Sequence, residues 1–391
     1  MKPVRVLALS PIPEAGAGAR FRVYQYLPAL RAAGFDVTVA PFFTPPFFEM
    51  VYQPGRHVRK AGWFAAQALQ RLKLLSRRSR YDLFWVYREA VPIGPPWVER
   101  RLARVPGRAL VYDFDDAIFL PTTSDANRLI QALKYPQKVS QLIRSSTHVV
   151  AGNESLAEYA RRYNVSVSVI PTCVDPARFR PLDPPAGQKR PAGRLRIGWI
   201  GSHSTAKYLR SLLPTLAQLS RSHPFELYVI GSPAVMAAEG LRMTQAPWRL
   251  EREIEDFQSC DIGIYPLWND AWARGKCGFK AIQFMACGVP VVADAVGVTQ
   301  DIIQDGLNGF LAMTPQDWTR RLTQLLLDPA LRRRLGTAGR ETVERRYALA
   351  AHAPRLIEVF RSAMARASGA TSWQAHTRAP GTAPAVLVPG S

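Results

Sequence analysis

Short apolar runs recur along this chain, each divided from the next by a stretch with helical spacing, and they fall into two series. The first comprises residues 4–10, 36–40, 81–87, 109–114, 148–152 and 165–170; the second comprises 195–200, 226–230, 262–265 and 289–293. Runs this rich in Val, Ile and Leu, without strict polar alternation, read as strands covered on both faces, as in a parallel sheet flanked by helices. Strand and helix in alternation make the βαβ plan. Between the two series lies P-L-D-P-P-A-G-Q-K-R-P-A-G, residues 181–193, a linker by composition. The pattern predicts an α/β protein of two Rossmann-like, doubly wound parallel-sheet domains facing a cleft. Ligands in such folds bind at the C-terminal ends of the strands. The expected organisation is an N-terminal domain over 1–180, the linker, a C-terminal domain over 194–346, a final helix over 347–367 packing back towards the first domain, and a disordered tail over 368–391. With 391 residues and 47% hydrophobic content, the chain can fill two cores.

The net charge of +21 points to polyanionic partners: phosphorylated substrates, an anionic membrane or nucleic acid. No apolar run reaches the roughly 18–20 residues that span a bilayer. The opening Met1–Ser10 reads as a first strand rather than a signal peptide. Cys173, Cys260, Cys277 and Cys287 show neither metal spacing nor disulfide density, which suits a reducing cytoplasm. Residues 56–80 form a basic amphipathic helix with aromatics at its head. Two readings stand for it: docking at the inner face of the cell membrane, or a surface helix covering the sheet.

Three segments carry candidate chemistry. G-K-C-G-F-K-A-I-Q-F-M-A-C-G-V-P-V-V-A, residues 275–293, reads as a glycine-punctuated loop, a short helix that Gly288 is placed to end, and a strand. Gly275 and Gly278 leave backbone bare before a helix N-terminus, where unpaired N–H groups and the dipole favour an anion. Lys276, Lys280 and Gln283 share one face if the helix begins early. The second segment, Glu14–Gly18, brings Gly16 and Gly18 to a turn before a helix over 19–33, without the full G-x-G-x-x-G spacing. The third is Val111–Asp116, in which Asp113-Phe114-Asp115 forms a literal D-x-D ending a strand. The end of this strand faces the cleft, which makes Asp115 and Asp116 candidate ligand contacts, with Asp116 as a helix N-cap the alternative. Arg88 and Glu89, after another strand that ends at the cleft, either face a ligand there or pair with each other. Trp248 and Glu251 lie ahead of the strand at Ile262. His203 is too isolated for a base role, and no Ser-His-Asp order, P-loop or zinc spacing is present.

Two Rossmann-like lobes together with A-C-G-V-P-V-V-A (286–293), I-Q-D-G-L-N-G-F-L-A (303–312) and C-D-I-G-I-Y-P-L (260–267) resemble the GT-B glycosyltransferases of the retaining family-4 type. The resemblance covers about residues 1–366. It implies transfer of a sugar from a nucleotide-sugar donor to a glycan, glycolipid or lipid-linked acceptor, with retention of configuration, and with no metal or other cofactor. In that family a Glu-x7-Glu motif spans the loop and helix; its positions fall on Gly275 and Gln283, so neither carboxylate is present. G-K-C-G-F-K-x-x-Q resembles a variant subgroup. The family's diphosphate clamp is an Arg after a glycine and a Lys further on. Here Gly201 is followed by Ser202, and the Lys is Lys207. The resemblance therefore implies a catalytic set of Lys207, Lys280, Asp115 and Asp116. The donor set would be Gly201, Ser202, Lys276, Gly278, Phe279 and Gln283, with Gly16 and Gly18 from the first lobe. Trp248 and Glu251 would border the nucleobase pocket, Asp115 and Asp116 would contact the donor sugar or acceptor, and Arg88 and Glu89 would face the acceptor if they do not pair. No specific nucleic-acid partner is implied. Two rivals remain open: a non-catalytic GT-B-like binder of anionic membrane or nucleic acid, and a nucleotide-sugar epimerase or phosphorylase.

Overall fold

The computed structural model describes residues 2–51, 55–120, 135, 137–182, 194–232, 235 and 238–369. Among them are twelve strands in two six-stranded sheets, all paired in parallel. The first sheet holds β1 (Val4–Ser10), β2 (Phe35–Pro41), β3 (Leu83–Tyr87), β4 (Ala109–Phe114), β5 (His148–Ala151) and β6 (Val167–Val169) in the order β2-β1-β3-β4-β5-β6. The second holds β7 (Arg196–Ile200), β8 (Glu226–Ile230), β9 (Met243–Ala246), β10 (Ile262–Tyr265), β11 (Val291–Asp294) and β12 (Phe310–Ala312) in the order β12-β11-β10-β7-β8-β9. Among the central strands β3 and β4 are buried along their whole length, which is why they stand out in the sequence as uninterrupted apolar runs. The edge strands β9 and β12 lack that signature. M-T-Q-A is half-exposed and Phe310–Ala312 is three residues long, so sequence periodicity passes over both.

In each sheet the order reverses once, between β1 and β3 and between β7 and β10, and ligands bind in the crevice at such switch points. The loops after these strands face one another across the cleft. The helix expected over 19–33 is divided into Ala17–Arg22, a 3₁₀ turn at Tyr24–Tyr26, and Leu27–Ala32, whose second residue is Pro28. The last helix, Leu349–Ala367, buries Ala353, Leu356, Val359, Phe360 and Ala363 against the first sheet, where Phe360 meets Phe35 and Trp85 edge-on. Most of the linker (183–193) and of the tail (370–391) lies outside the described residues.

The lobes touch through an apolar contact, Phe21 against Phe279 with ring centroids 4.4 Å apart, and through polar ones. Arg20 Nη2 donates to both oxygens of Glu253, each at 2.9 Å. Asn153 Nδ2 donates to the carbonyls of Gly275 (3.2 Å) and Lys276 (3.0 Å). Cys277 Sγ donates to the Asp115 carbonyl at 3.1 Å; burial pushes this thiol up to about 12, so it keeps its proton. Gly275 serves this contact, because a Cβ there would stand 2.5 Å from Ala117 Cβ and 3.2 Å from its nitrogen.

Candidate active site

A cavity of about 460 Å³ opens between the lobes. The first lobe contributes Ala15–Gly18 after β1, Arg88 after β3, and Asp115 and Asp116 after β4. The second contributes Gly201, Ser202, Thr205 and Tyr208 after β7, Gly231 after β8, Trp248, Tyr265–Leu267 at the end of β10, and Lys276–Lys280. Gly16, Gly18, Asp115, Asp116, Gly201, Ser202, Lys276, Gly278, Phe279 and Lys280 thus line one space, although the sequence spreads them over more than two hundred residues. Lys207 and Gln283 are not among its lining residues.

The loop and helix that the sequence singles out form the floor. Gly278 sits at φ +62°, a left-handed conformation that suits glycine, and the helix Phe279–Ala286 begins directly after it. A Cβ at Gly278 would also stand 2.3 Å from Ile302. The first N–H groups of this helix have no acceptor within it, and they adjoin the cavity at Phe279 and Lys280. The helix begins later than the shared-face reading requires. Lys276 lies in the loop instead, its ammonium 5.8 Å from the Trp272 ring centroid. Gly288, at φ +70°, follows the helix end as expected.

Behind Lys280 is a buried polar row. Lys280 Nζ donates to Gln283 Oε1 at 3.0 Å, and Gln283 Nε2 donates to Glu253 Oε1 at 3.4 Å. Gln283 has no exposed surface, so it meets the cavity only through Lys280. Burial lowers the Lys280 ammonium, opposed by the charge of Glu253. Neither Glu253 nor Arg20 is marked by any sequence motif. Arg20 also lies over the Phe21 and Trp248 rings, at 4.8 and 5.3 Å from their centroids.

On the first lobe, Asp115 is held by its neighbours. Its Oδ1 accepts from Tyr87 Oη at 2.9 Å and from Arg88 Nε at 2.7 Å. Burial alone would raise this carboxyl; Arg88 and Arg22 hold it below the usual range. Arg88 reaches it from a left-handed backbone, φ +57°, a cost that a non-glycine residue bears only where its surroundings impose it. Arg88 therefore pairs with Asp115, while Glu89 pairs with Lys138 at 2.8 Å, so the two do not pair with each other. Asp113, the other half of the D-x-D, is bound inside the lobe by Arg22 at 2.8 Å. Asp116 differs from both. Burial raises its carboxyl, opposed chiefly by the charges of Lys276 and Arg88; among the described residues it accepts a local bond from the Ala117 N–H and stands 3.8 Å from Arg88 Nη2. No helix starts at Asp116 among the described residues.

Lys207 lies in the first turn of the helix Ala206–Ser222, its ammonium 5.0 Å from the Tyr208 ring centroid and 4.7 Å from that of Trp268. Trp248 borders the cavity; Glu251 and His203 are exposed.

Two sequence profiles match the chain: one described as Glycosyltransferase Family 4 over residues 16–178, the other as Glycosyl transferases group 1 over residues 194–328. A D-inositol 3-phosphate glycosyltransferase of Stackebrandtia nassauensis is 30% identical over 224 residues, covering 50% of this chain and 49% of that protein. The chain thus spans about half the length of the curated relatives it matches. Among solved structures, sucrose-phosphate synthase from Thermosynechococcus elongatus superposes with a TM-score of 0.69 at 20% identity, over 94% of this chain and all of that one. Anabaena HepE in complex with UDP and glucose gives 0.65 at 16% identity, over 92% of this chain and all of that one. These likenesses carry the two-lobed fold.

Proposed function

The chain belongs to the GT-B glycosyltransferases, and from that premise we propose that it moves a sugar from a nucleotide-diphosphate sugar to an acceptor bound against the first lobe. The observation that carries this reading is the floor of the cleft. A free helix N-terminus and two lysines, Lys276 and Lys280, meet one cavity between the C-terminal ends of two parallel sheets. That arrangement stabilises a leaving diphosphate without a metal ion, through charge-assisted hydrogen bonds in a partly desolvated site. Lys207 would join it by swinging off its two aromatic rings.

The reaction proposed is retaining and metal-independent. The leaving diphosphate takes the proton of the incoming acceptor hydroxyl on the same face of the sugar, so no protein nucleophile is needed. Asp116 faces the sugar across the cleft, and Asp115 with Arg88 fixes the wall beside it. HepE has been crystallised with UDP-glucose, which makes uridine nucleotides the first donors to try.

The acceptor proposed is a glycan or lipid-linked molecule at an anionic membrane surface, with the enzyme on the cytoplasmic side. Among the described residues no helix is long and apolar enough to cross a membrane. The helix His57–Ser76, however, leaves Val58, Leu69 and Leu72 exposed at 89%, 59% and 49%. Arg59, Lys73, Arg77, Arg78 and Arg80 flank them, and no acidic residue occurs between Glu49 and Asp82. An apolar stripe with a cationic border suits shallow insertion beside anionic headgroups.

The test measures nucleotide release from UDP-glucose and GDP-mannose with a bacterial lipid extract as acceptor, using the parent chain and its Lys207→Ala and Lys280→Ala variants, with and without a chelator. Loss of turnover in both variants, unaffected by chelation, is expected. Undiminished turnover in both would sink the assignment.

A further inference from the structure

Tyr208 lies beside Lys207 in the first turn of the helix Ala206–Ser222 and is 2% exposed. Its ring is fixed on several sides. Trp268 meets it edge-on at 5.4 Å, the Lys207 ammonium lies 5.0 Å from its centroid, and Leu267, Ala273 and Val296 complete the cluster. Its hydroxyl is another matter. The oxygen is buried, the residue lines the cavity, and among the described residues that hydroxyl has no hydrogen-bond partner. A buried tyrosine normally finds a partner for its O–H, because an unmet polar atom is costly. Phenylalanine would fill the same space without that cost. Tyr112 shares this lack of a partner among the described residues, but of the two only Tyr208 lines the cavity, where a ligand can supply one.

Resting on the donor-site reading above, we propose that the Tyr208 hydroxyl is a specificity-determining contact to the transferred sugar, acting opposite Asp116. The sheet order supports its place in the cavity. Gly231 and Trp248 lie at the β8 side, whereas Tyr265 and Leu267 lie at the β10 side, with Asp116 facing them from the first lobe. Tyr208 packs with Leu267 and with Tyr265, which puts its ring on the side away from Trp248. Burial, with the charges of Asp270 and Asp116, holds the phenol well above its ordinary range. It is accordingly a neutral O–H that both donates and accepts. Asp116 accepts, and Lys276 donates. The three together match a neutral polyol with ring hydroxyls free to bond in both senses, which is the chemistry of a hexose unit.

The test is isothermal calorimetry on the parent chain and Tyr208→Phe, with UDP, UDP-glucose, GDP and GDP-mannose, and with deoxyglucose and fluorodeoxyglucose analogues of the better sugar nucleotide. The expected result is unchanged affinity for the bare nucleotide and a roughly three- to tenfold loss for its sugar conjugate, the size of one neutral hydrogen bond. That loss should vanish for the one analogue whose missing hydroxyl is the bonded one. Equal affinity of both proteins for the sugar nucleotide would make Tyr208 a packing residue and overturn the proposal. Equal loss for nucleotide and sugar nucleotide would also overturn it, by placing the hydroxyl on the diphosphate. If neither UDP nor GDP binds the parent chain, the donor-site reading itself falls, a result distinct from a bound nucleotide indifferent to Tyr208. A matched unfolding temperature for Tyr208→Phe excludes a folding defect.

Discussion

Arg20 and Glu253 meet across the cleft, 233 residues apart in sequence, with one guanidinium nitrogen shared between both carboxylate oxygens at 2.9 Å. Their side chains are only 5% and 4% exposed, so each charge is compensated chiefly by the other, with Gln283 on Glu253 and the Glu14 and Ala15 carbonyls on Arg20 adding neutral hydrogen bonds. Removing one partner leaves a buried charge unpaired, which costs about 3–5 kcal/mol, whereas replacing both with apolar residues costs far less. Chemical denaturation should therefore show Arg20→Ala and Glu253→Ala strongly destabilised and the double Arg20→Met/Glu253→Leu variant largely recovered. A single variant as stable as the parent would mean that water reaches the pair when one side chain is shortened.

Gly275 allows the 275–277 loop to seat against Ala117. Gly275→Ala is expected to cost about 1–3 kcal/mol through overpacking, or to push the lobes apart. Small-angle scattering would register the second outcome as a larger radius of gyration. Gly275→Glu, which writes the family's first glutamate back into the chain, should lower turnover rather than raise it. Its longer side chain meets the same obstacle at Cβ.

Lys280→Met removes the cavity-floor ammonium and keeps most of the stem's packing. A charge-assisted bond to a diphosphate is worth about 1.5–3 kcal/mol, so UDP affinity should fall by roughly ten- to a hundredfold. Titration calorimetry at fixed salt decides it; an unchanged affinity would mean that the helix N-terminus and Lys276 hold the anion without Lys280.

His148 predicts a pH dependence of stability. Its ring accepts from Arg366 Nη2 at Nδ1 and lies 2.9 Å from Ser168 Oγ at Nε2, an arrangement that fits the neutral ring. Burial and the Arg366 charge lower it to about 4. The unfolded chain titrates near 6.5, so the unfolded state takes up the proton first as pH falls. Its contribution is complete above about pH 6.5 and is lost progressively as pH falls to about 4, by a few kcal/mol in total. Thermal melts between pH 4 and pH 7 should show this slope, reduced in His148→Gln.

The helix His57–Ser76 predicts lipid binding. The parent chain should co-sediment with phosphatidylserine vesicles, less so as salt rises, at about 1 kcal/mol for each basic residue near the surface. Leu69→Glu with Leu72→Glu should abolish it without altering UDP affinity. Sedimentation by both proteins alike would return the helix to the role of a plain sheet cover.

The interior strands were legible in the sequence because a strand buried on both faces carries its own record, an unbroken apolar run such as Leu83–Tyr87 or Ala109–Phe114. So were the glycines around the helix Phe279–Ala286, since left-handed backbone at Gly278 and Gly288 is a local demand with a local solution. These features depend on neighbours within a few residues. The edge strands β9 and β12 were not legible, because half-exposed four- and three-residue segments impose no comparable pattern.

The site divides in the same way. Residue types and spacing singled out the 275–293 segment and its lysines. Only the tertiary structure decided how they stand to the cavity: Lys280 at its floor, Lys276 in the loop that lines it, and Gln283 sealed behind Lys280. It alone joined Glu253 to Arg20 and set Ala117 against Gly275. The physical reason is that short-range propensity builds each lobe, while a contact between lobes depends on how two separately formed sheets come to face each other. No periodicity within either segment records that placement.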